Sequence, residues 1–267
     1  MKIGNCQTVL IMGVLNASPE SFYDNSVASE ENEIVSMIES METEGANIID
    51  VGGASSAPKV IYGTKQVSIE EEIHRIGHAM EIINSCTDLP ISVDTTSSSV
   101  AELALEKGAS LVNDISGLKR DDRMASLVAE YEVPVVIMAH CKGVCTDVNM
   151  SIKSLRKSLD IAADAGISRN QIILDPGIGF GKPARVDFAI IKNLRLFLEM
   201  EQPVLVGISR KAFLGELLNQ PEPSNRLTGT IAATAIAVNK GADIIRAHDV
   251  NEAVIASQVG LAVKDAD

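Results

Sequence analysis

Short apolar runs recur along this chain, and each ends on a polar or charged residue: Asn16, Asp50, Asp94, Asn113, Asp175, the pair Arg210 and Lys211, and Arg246 with His248. The runs predict strands over Val9 to Leu15, Ile48 to Val51, Ile91 to Val93, Leu111 to Val112, Val133 to Met138, Ile172 to Leu174, Val204 to Val206 and Ile244 to Ile245. They are short and mostly β-branched, as strands buried on both faces of a parallel sheet should be. Longer amphipathic stretches between them predict helices over Glu30 to Glu44, Ser68 to Asn84, Ser97 to Lys107, Arg123 to Tyr131, Ile152 to Ala165, Val186 to Met200, Leu227 to Lys240 and Val250 to Val263. Strands alternating with helices imply right-handed crossovers and a parallel sheet. Eight alternations with no GxGxxG fingerprint after the first strand favour a closed (β/α)8 TIM barrel over an open doubly wound sheet.

Three segments repeat one grammar: GANIID from Gly45, GASLVND from Gly108 and GADIIR from Gly241. Each ends a helix on glycine, enters a strand and finishes on a polar residue, the αβ connection a barrel needs. The C-terminal strand ends of such a barrel open onto one mouth, so polar residues far apart in sequence would converge there.

A chain of 267 residues with 46% hydrophobic content suits one barrel domain over residues 1–267, since roughly 250 residues is usual for the fold. The formal charge of -13 argues against nucleic acid or an anionic membrane as partner, because the averaged field repels both; an anionic small molecule would need a local basic pocket. No secretory leader or apolar run of about 18 residues is evident, so the cytoplasm is the expected location. Cys141 and Cys145 beside His140 lack the second paired cluster of a structural zinc site and are expected to be ordinary thiols. His74 and His78, without a HExxH glutamate, are expected at the surface.

The strand-end residues suggest a ligand. Asp175 can accept two hydrogen bonds from an amidine-like edge such as that of a guanine or pterin ring, and Asn113 adds a donor and an acceptor. Lys211 can donate to ring atoms, while Arg210, Arg246 and His248 suit a phosphate or diphosphate. Asn16 offers a neutral oxygen for Mg2+, which keeps several waters and bridges phosphate oxygens. Taken singly each has a structural reading: Asp175 before Pro-Gly as a turn former, Asn113 with Asp114 as an Asx turn, Asp249 as a helix cap, Phe180 as core. Their recurrence at successive strand ends favours a site for a flat heterocycle with a diphosphate tail.

These stretches together resemble the dihydropteroate synthase family over nearly the whole chain: IMGVLNASPESF from Ile11, IIDVGG from Ile48, SVDT from Ser92, VNDI from Val112, ILDPGIGFGK from Ile173, GISRK from Gly207 and RAHDV from Arg246. The resemblance implies a barrel that joins 6-hydroxymethyl-7,8-dihydropterin diphosphate to 4-aminobenzoate with Mg2+, releasing diphosphate, and a homodimer formed through outer helices. It implies that Asp94, Asn113, Asp175 and Lys211 hold the pterin, with Asp94 steadying a transient cation. Asn16, Arg246 and His248 would hold the diphosphate and its metal. Ser56, Pro58, Phe180 and Ser209 would line the aminobenzoate side. Two loops depart from the family pattern: SPESFYDNS from Ser18 stands where TPDSFSDGG is usual, and ASSAPK from Ala54 where ESTRPG is usual, so Ala57 replaces a guanidinium. These changes leave room for a transferase using a modified arylamine, and beside it for a non-catalytic pterin-binding protein. A pterin-dependent methyltransferase fits the anion-binding residues poorly.

Overall fold

The apolar runs form eight parallel strands in a computed structural model that describes residues 8–17, 30–54, 67–141 and 143–266. These are β1 (Leu10–Asn16), β2 (Ile48–Gly52), β3 (Ile91–Asp94), β4 (Leu111–Asp114), β5 (Val135–Met138), β6 (Ile172–Asp175), β7 (Leu205–Gly207) and β8 (Ile244–Ala247). Several run further than expected because ladder bonding continues through the polar residue that ends the apolar run, as at Asp94, Asn113, Asp175 and Arg246. β5 instead starts late, after Pro134, which has no N–H for the ladder.

The strands pair in the order β6-β5-β4-β3-β2-β1-β8-β7. A parallel bridge between Leu174 and Val204, with Leu174 N–H donating to Pro203 O at 2.9 Å, joins β6 to β7 and closes the barrel. The helices around it are α1 (Glu31–Glu44), α2 (Ile69–Cys86), α3 (Ser98–Glu106), α4 (Met124–Tyr131), α5 (Val148–Asp164), α6 (Ala184–Lys192), α7 (Arg195–Leu198), α8 (Ala212–Leu218), α9 (Leu227–Asn239) and α10 (Val250–Lys264).

Three helical expectations need correction. α5 begins four residues early because Asp147 caps it, accepting Met150 N–H at 2.9 Å. The helix expected over Val186 to Met200 is two: Asn193 interrupts it, its side-chain amide donating to Ala189 O at 2.8 Å. α8, between β7 and α9, has no counterpart in the apolar pattern because only seven residues carry it.

Two apolar layers result. Met12, Ile48, Leu111, Val136, Ile173, Leu205 and Ile244 cluster together, one from each of β1, β2, β4, β5, β6, β7 and β8, and so plug the barrel interior. A larger cluster, including Ile34, Ile83, Val100, Leu127, Leu155, Ile190 and Phe197, seals the helices to the outside of the strands. His74 and His78 are exposed on α2, as expected. Cys141 and Cys145 are not ordinary thiols: they form a disulfide across a Cα separation of 5.8 Å in the segment after β5. No helix among the described residues is long and apolar enough to cross a membrane.

α9 and α10 make the closest outer helix contact. At Gly260 a Cβ would stand 2.6 Å from Ala235 O and 2.8 Å from Val238 Cβ, so only glycine lets the two backbones approach this far. Alanine ordinarily gains about 1 kcal/mol over glycine inside a helix. Here Gly260→Ala is expected to destabilise the protein by about 1–3 kcal/mol in urea unfolding, because overpacking against a backbone carbonyl outweighs propensity; unchanged or raised stability would show that the helices can separate freely.

Candidate active site

The barrel interior changes character two residues above its apolar plug. Alternate residues of a strand face the same side, so Ile48, Leu111, Ile173 and Ile244 are followed inward by Asp50, Asn113, Asp175 and Arg246. Hydrogen bonds between strands that are not ladder neighbours confirm that orientation. Arg246 on β8 donates from Nε to Asp50 Oδ2 on β2 at 2.6 Å and from Nη2 to Asp94 Oδ2 on β3 at 2.8 Å. Asn113 on β4 donates from Nδ2 to the same Asp50 oxygen at 3.1 Å.

Asp50 is fully buried and sits at the centre of this network, yet sequence analysis gave it no task beyond ending a strand. The signal that would have found it is its place in GANIID, matching Asn113 in GASLVND and Arg246 in GADIIR. Asp50 Oδ1 and Asn113 Oδ1 make no hydrogen bond with any described residue. A buried acceptor left unsatisfied costs about 1–3 kcal/mol, and a ligand presenting N–H groups removes that penalty.

Asp175 ends β6 and is buried. Its Oδ1 accepts Gly177 N–H at 2.7 Å, the Asx turn of the structural reading, while Oδ2 remains an acceptor beside the cations. The turn-forming reading of this residue is therefore met, and one carboxylate oxygen is left over for a ligand. Burial pushes its carboxyl up, against the pull of Lys211, the Gly177 bond, Lys182 and Arg246. Asn113 and Asp114 divide the same two roles between them: Asp114 accepts from Ser116 and Leu118 N–H to make the turn, leaving Asn113 for the interior.

Lys211 follows β7. Its ammonium bonds Ile178 O and lies 4.3 Å from the centroid of the Phe180 ring, a cation–π contact. Burial lowers its pKa to about 8, while Asp175 supports the charged form, so it remains a cation at neutral pH. His248, just past β8, is pushed down to about 3 by burial and by the positive charges of Arg246, Arg210 and Lys211, and is neutral. Ser209 Oγ accepts His248 N–H at 3.3 Å and lies 2.8 Å from His248 Nδ1. With the hydroxyl proton directed to Nδ1, Nε2 carries the ring proton and becomes a donor.

Asp94, Asn113, Asp175, Ser209, Lys211, Arg246, His248, Phe180 and Asn16 all lie at or just beyond the C-terminal ends of their strands, the mouth side of the barrel. Ser209 faces His248 and Phe180 faces Lys211. Ser56 and Pro58 fall outside the described residues, as do Ala57 and the first loop from Ser18. Arg210 does not serve an anion. It is buried, pairs through two nitrogens with Asp249 at 2.7 and 2.9 Å, and donates to Pro223 O and Ser224 O. Asp249 stands at the N-cap position of α10 but spends its carboxylate on Arg210 rather than on capping.

Among the described residues no three His, Cys, Asp or Glu side chains gather to hold a metal ion. Asn16 Oδ1 lies beside Gly52, 3.8 Å from where a Cβ would stand. One neutral oxygen at the mouth suits Mg2+, which keeps waters and draws other ligands from phosphate, and does not suit structural zinc, which needs four protein ligands.

Residues 12–248 match the family model described as pterin binding enzyme. The dihydropteroate synthase of Clostridium beijerinckii is 40% identical over 94% of this chain and 95% of that protein. The dihydropteroate synthase of Coxiella burnetii, solved in complex with pteroic acid, superposes with a TM-score of 0.89 at 34% identity, covering 97% of this chain and 94% of that one. That of Xanthomonas albilineans with 4-aminobenzoic acid gives a TM-score of 0.88 at 34% identity over 97% and 94%. By this match along most of its length, and by the interior its strand ends build, the chain belongs to the pterin binding enzyme family.

Proposed function

We propose that this chain acts as a dihydropteroate synthase in folate biosynthesis, condensing 6-hydroxymethyl-7,8-dihydropterin diphosphate with 4-aminobenzoate to give 7,8-dihydropteroate and diphosphate. The observation that carries the reading is the pairing, in one barrel interior, of buried acceptors suited to ring N–H groups with cations and a neutral histidine suited to an anion.

Asp175 Oδ2 and Asn113 Oδ1 receive the donor edge of the pterin, and Lys211 donates to its oxygen or nitrogen acceptors. Asp94 faces the methylene as positive charge grows there. Arg246 Nη1, His248 Nε2 and Asn16 meet the diphosphate. Mg2+ held by Asn16, waters and diphosphate oxygens would supply Lewis-acid stabilisation of the departing charge. The C–O bond breaks with its electron pair going to the diphosphate, and the dihydropterin ring shares the resulting positive charge. The arylamine lone pair then forms the C–N bond and its nitrogen loses a proton to the released diphosphate or water. No protein nucleophile takes part. What the residues supply is electrostatic preorganisation in a site shielded from water.

We place the enzyme in the cytoplasm, on the acidic charge of the chain and its small soluble substrates. We also propose that it is a homodimer. Ile255, Val259 and Val263 form a stripe on α10 at four-residue spacing, and Ile236 on the adjacent α9 is likewise half exposed. Contiguous apolar surface of this kind marks an interface, and the same patch meeting itself makes a closed pair.

Three outcomes test these statements. Product formation and diphosphate release should both require 4-aminobenzoate in a coupled assay with Mg2+; diphosphate release without condensed product would direct the reading to another arylamine, and pterin binding with neither would make this a binding protein. Asp175→Asn keeps the oxygen for Gly177 N–H but turns a donor toward ring N–H groups, so pterin affinity should fall about 10- to 100-fold with the fold intact; undiminished affinity removes Asp175 from the pocket. Val259→Asp should shift the protein to monomer in sedimentation, and an unaltered dimer would place the interface elsewhere.

A further inference from the structure

Asp187, a buried carboxylate beside the site, takes no part in the proposed reaction. Asp187 on α6 is 1% exposed, and its Oδ1 accepts Gly179 N–H at 2.8 Å. Gly179 has φ +76°, and a Cβ there would run into the aliphatic stem of Lys211, so this backbone unit lies directly on Lys211. Its two neighbours are the groups that station the Lys211 ammonium: Ile178, whose carbonyl accepts from Nζ, and Phe180, whose ring Nζ overlies.

The turn is held at other points as well. Gly177 N–H goes to Asp175, and Gly177 O accepts from the buried Lys182 ammonium. Gly177 and Gly181 also have positive φ, so the segment follows a path that few side chains would stabilise by themselves. Among the described residues, Asp187 is the side chain that bonds the 178–180 unit from outside both the turn and the site; Lys211 bonds it from within the site, and Phe180 N–H bonds Gly177 O inside the turn.

We propose that Asp187 is a positioning residue for the second substrate: by holding Gly179 N–H it fixes the turn that presents Phe180 and Lys211 to the arylamine. The proposal rests on the synthase reading for the identity of that substrate. The charged groups that face Asp187 are Lys182 within the turn and Lys211 from the segment after β7. Burial pushes its carboxyl up to about 6 against the Gly179 bond and those two ammoniums, so its charge is lost as the pH falls through that region while Lys211 stays protonated. Protonation weakens the acceptor that Gly179 uses, and the turn loosens on the acid side.

The test compares Asp187→Asn and Asp187→Leu with the wild type by steady-state kinetics between pH 5 and 8. Asp187→Leu should raise the KM for 4-aminobenzoate about tenfold while the KM for the pterin diphosphate changes less than twofold, as expected when a hydrogen bond to a charged group is lost on one side of the site. Asp187→Asn keeps an acceptor but not the charge, so its 4-aminobenzoate KM should lie between those of the wild type and Asp187→Leu near pH 8 and should lack the rise that the wild type shows toward pH 5. A purely structural role would raise both KM values together in Asp187→Leu and leave the acid-side profile of Asp187→Asn like the wild type; either result overturns the proposal. If Asp187→Leu does not fold, the pH profile of Asp187→Asn decides alone. If the wild type does not condense the two substrates, the synthase reading fails, and the same comparison, measured as the calorimetric Kd of 4-aminobenzoate in the presence of pterin and diphosphate, still decides Asp187.

Discussion

The forked contact of Arg246 with Asp50 and Asp94 is the interaction on which the site depends. Two carboxylates sharing a dry interior resist joint ionisation unless a cation lies between them, and a planar guanidinium can face two oxygens at once. Burial works against the charge of Arg246, but Asp50 and Asp94 hold it firmly protonated. Because the fork spans β8, β2 and β3, and Asn113 adds β4 through Asp50, it ties together strand ends that the sheet ladder alone does not connect. Breaking a buried pair of this kind from one side costs about 3–5 kcal/mol, so the fork resists rearrangement of the polar layer.

That commitment divides the labour of the mouth. Arg246 spends Nε and Nη2 on carboxylates, and only Nη1 makes no bond to a described residue. On the proposed reading the anion would therefore be met by a single guanidinium nitrogen, a neutral His248 and Asn16 rather than by a cluster of arginines. Arg210, beside Lys211 in sequence, contributes differently: bound to Asp249 and to the backbone of 223–224, and with its own carbonyl accepting from Arg226, it anchors the segment that carries Ser209 and Lys211. A chain of strongly negative charge thus holds Arg246 and Arg210 against carboxylates and Lys211 against a backbone carbonyl.

The fold was legible because each βα unit repeats one pattern, and because the plug residues Ile48, Leu111, Ile173 and Ile244 alternate with the polar residues that share their face. The limits lay where local chemistry overrides periodicity. Strands ended early on paper because Asp94 and Asn113 read as loop residues, although their backbones continue the ladder. Asn193 split a helix by offering its side chain to the backbone, a choice that leaves no trace in an apolar pattern. Within the site, Asp175 and Lys211 could be named from sequence, but Arg210 could not be told from Arg246: both are arginines just after an apolar run, and only the fold shows which one faces Asp249. Asp187 carried no strand-end signal at all, since it reaches the site from a helix.

The most direct measurement of this account is the affinity of 6-hydroxymethylpterin, which carries no diphosphate, for the wild type and for Arg246→Lys. If Arg246 organises the carboxylate layer, the lysine variant, with a charge but no fork, should bind even this bare ring about tenfold more weakly. If the loss appears only with the diphosphate-bearing substrate and the bare pterin binds as before, Arg246 is an anion ligand alone and the central claim is wrong.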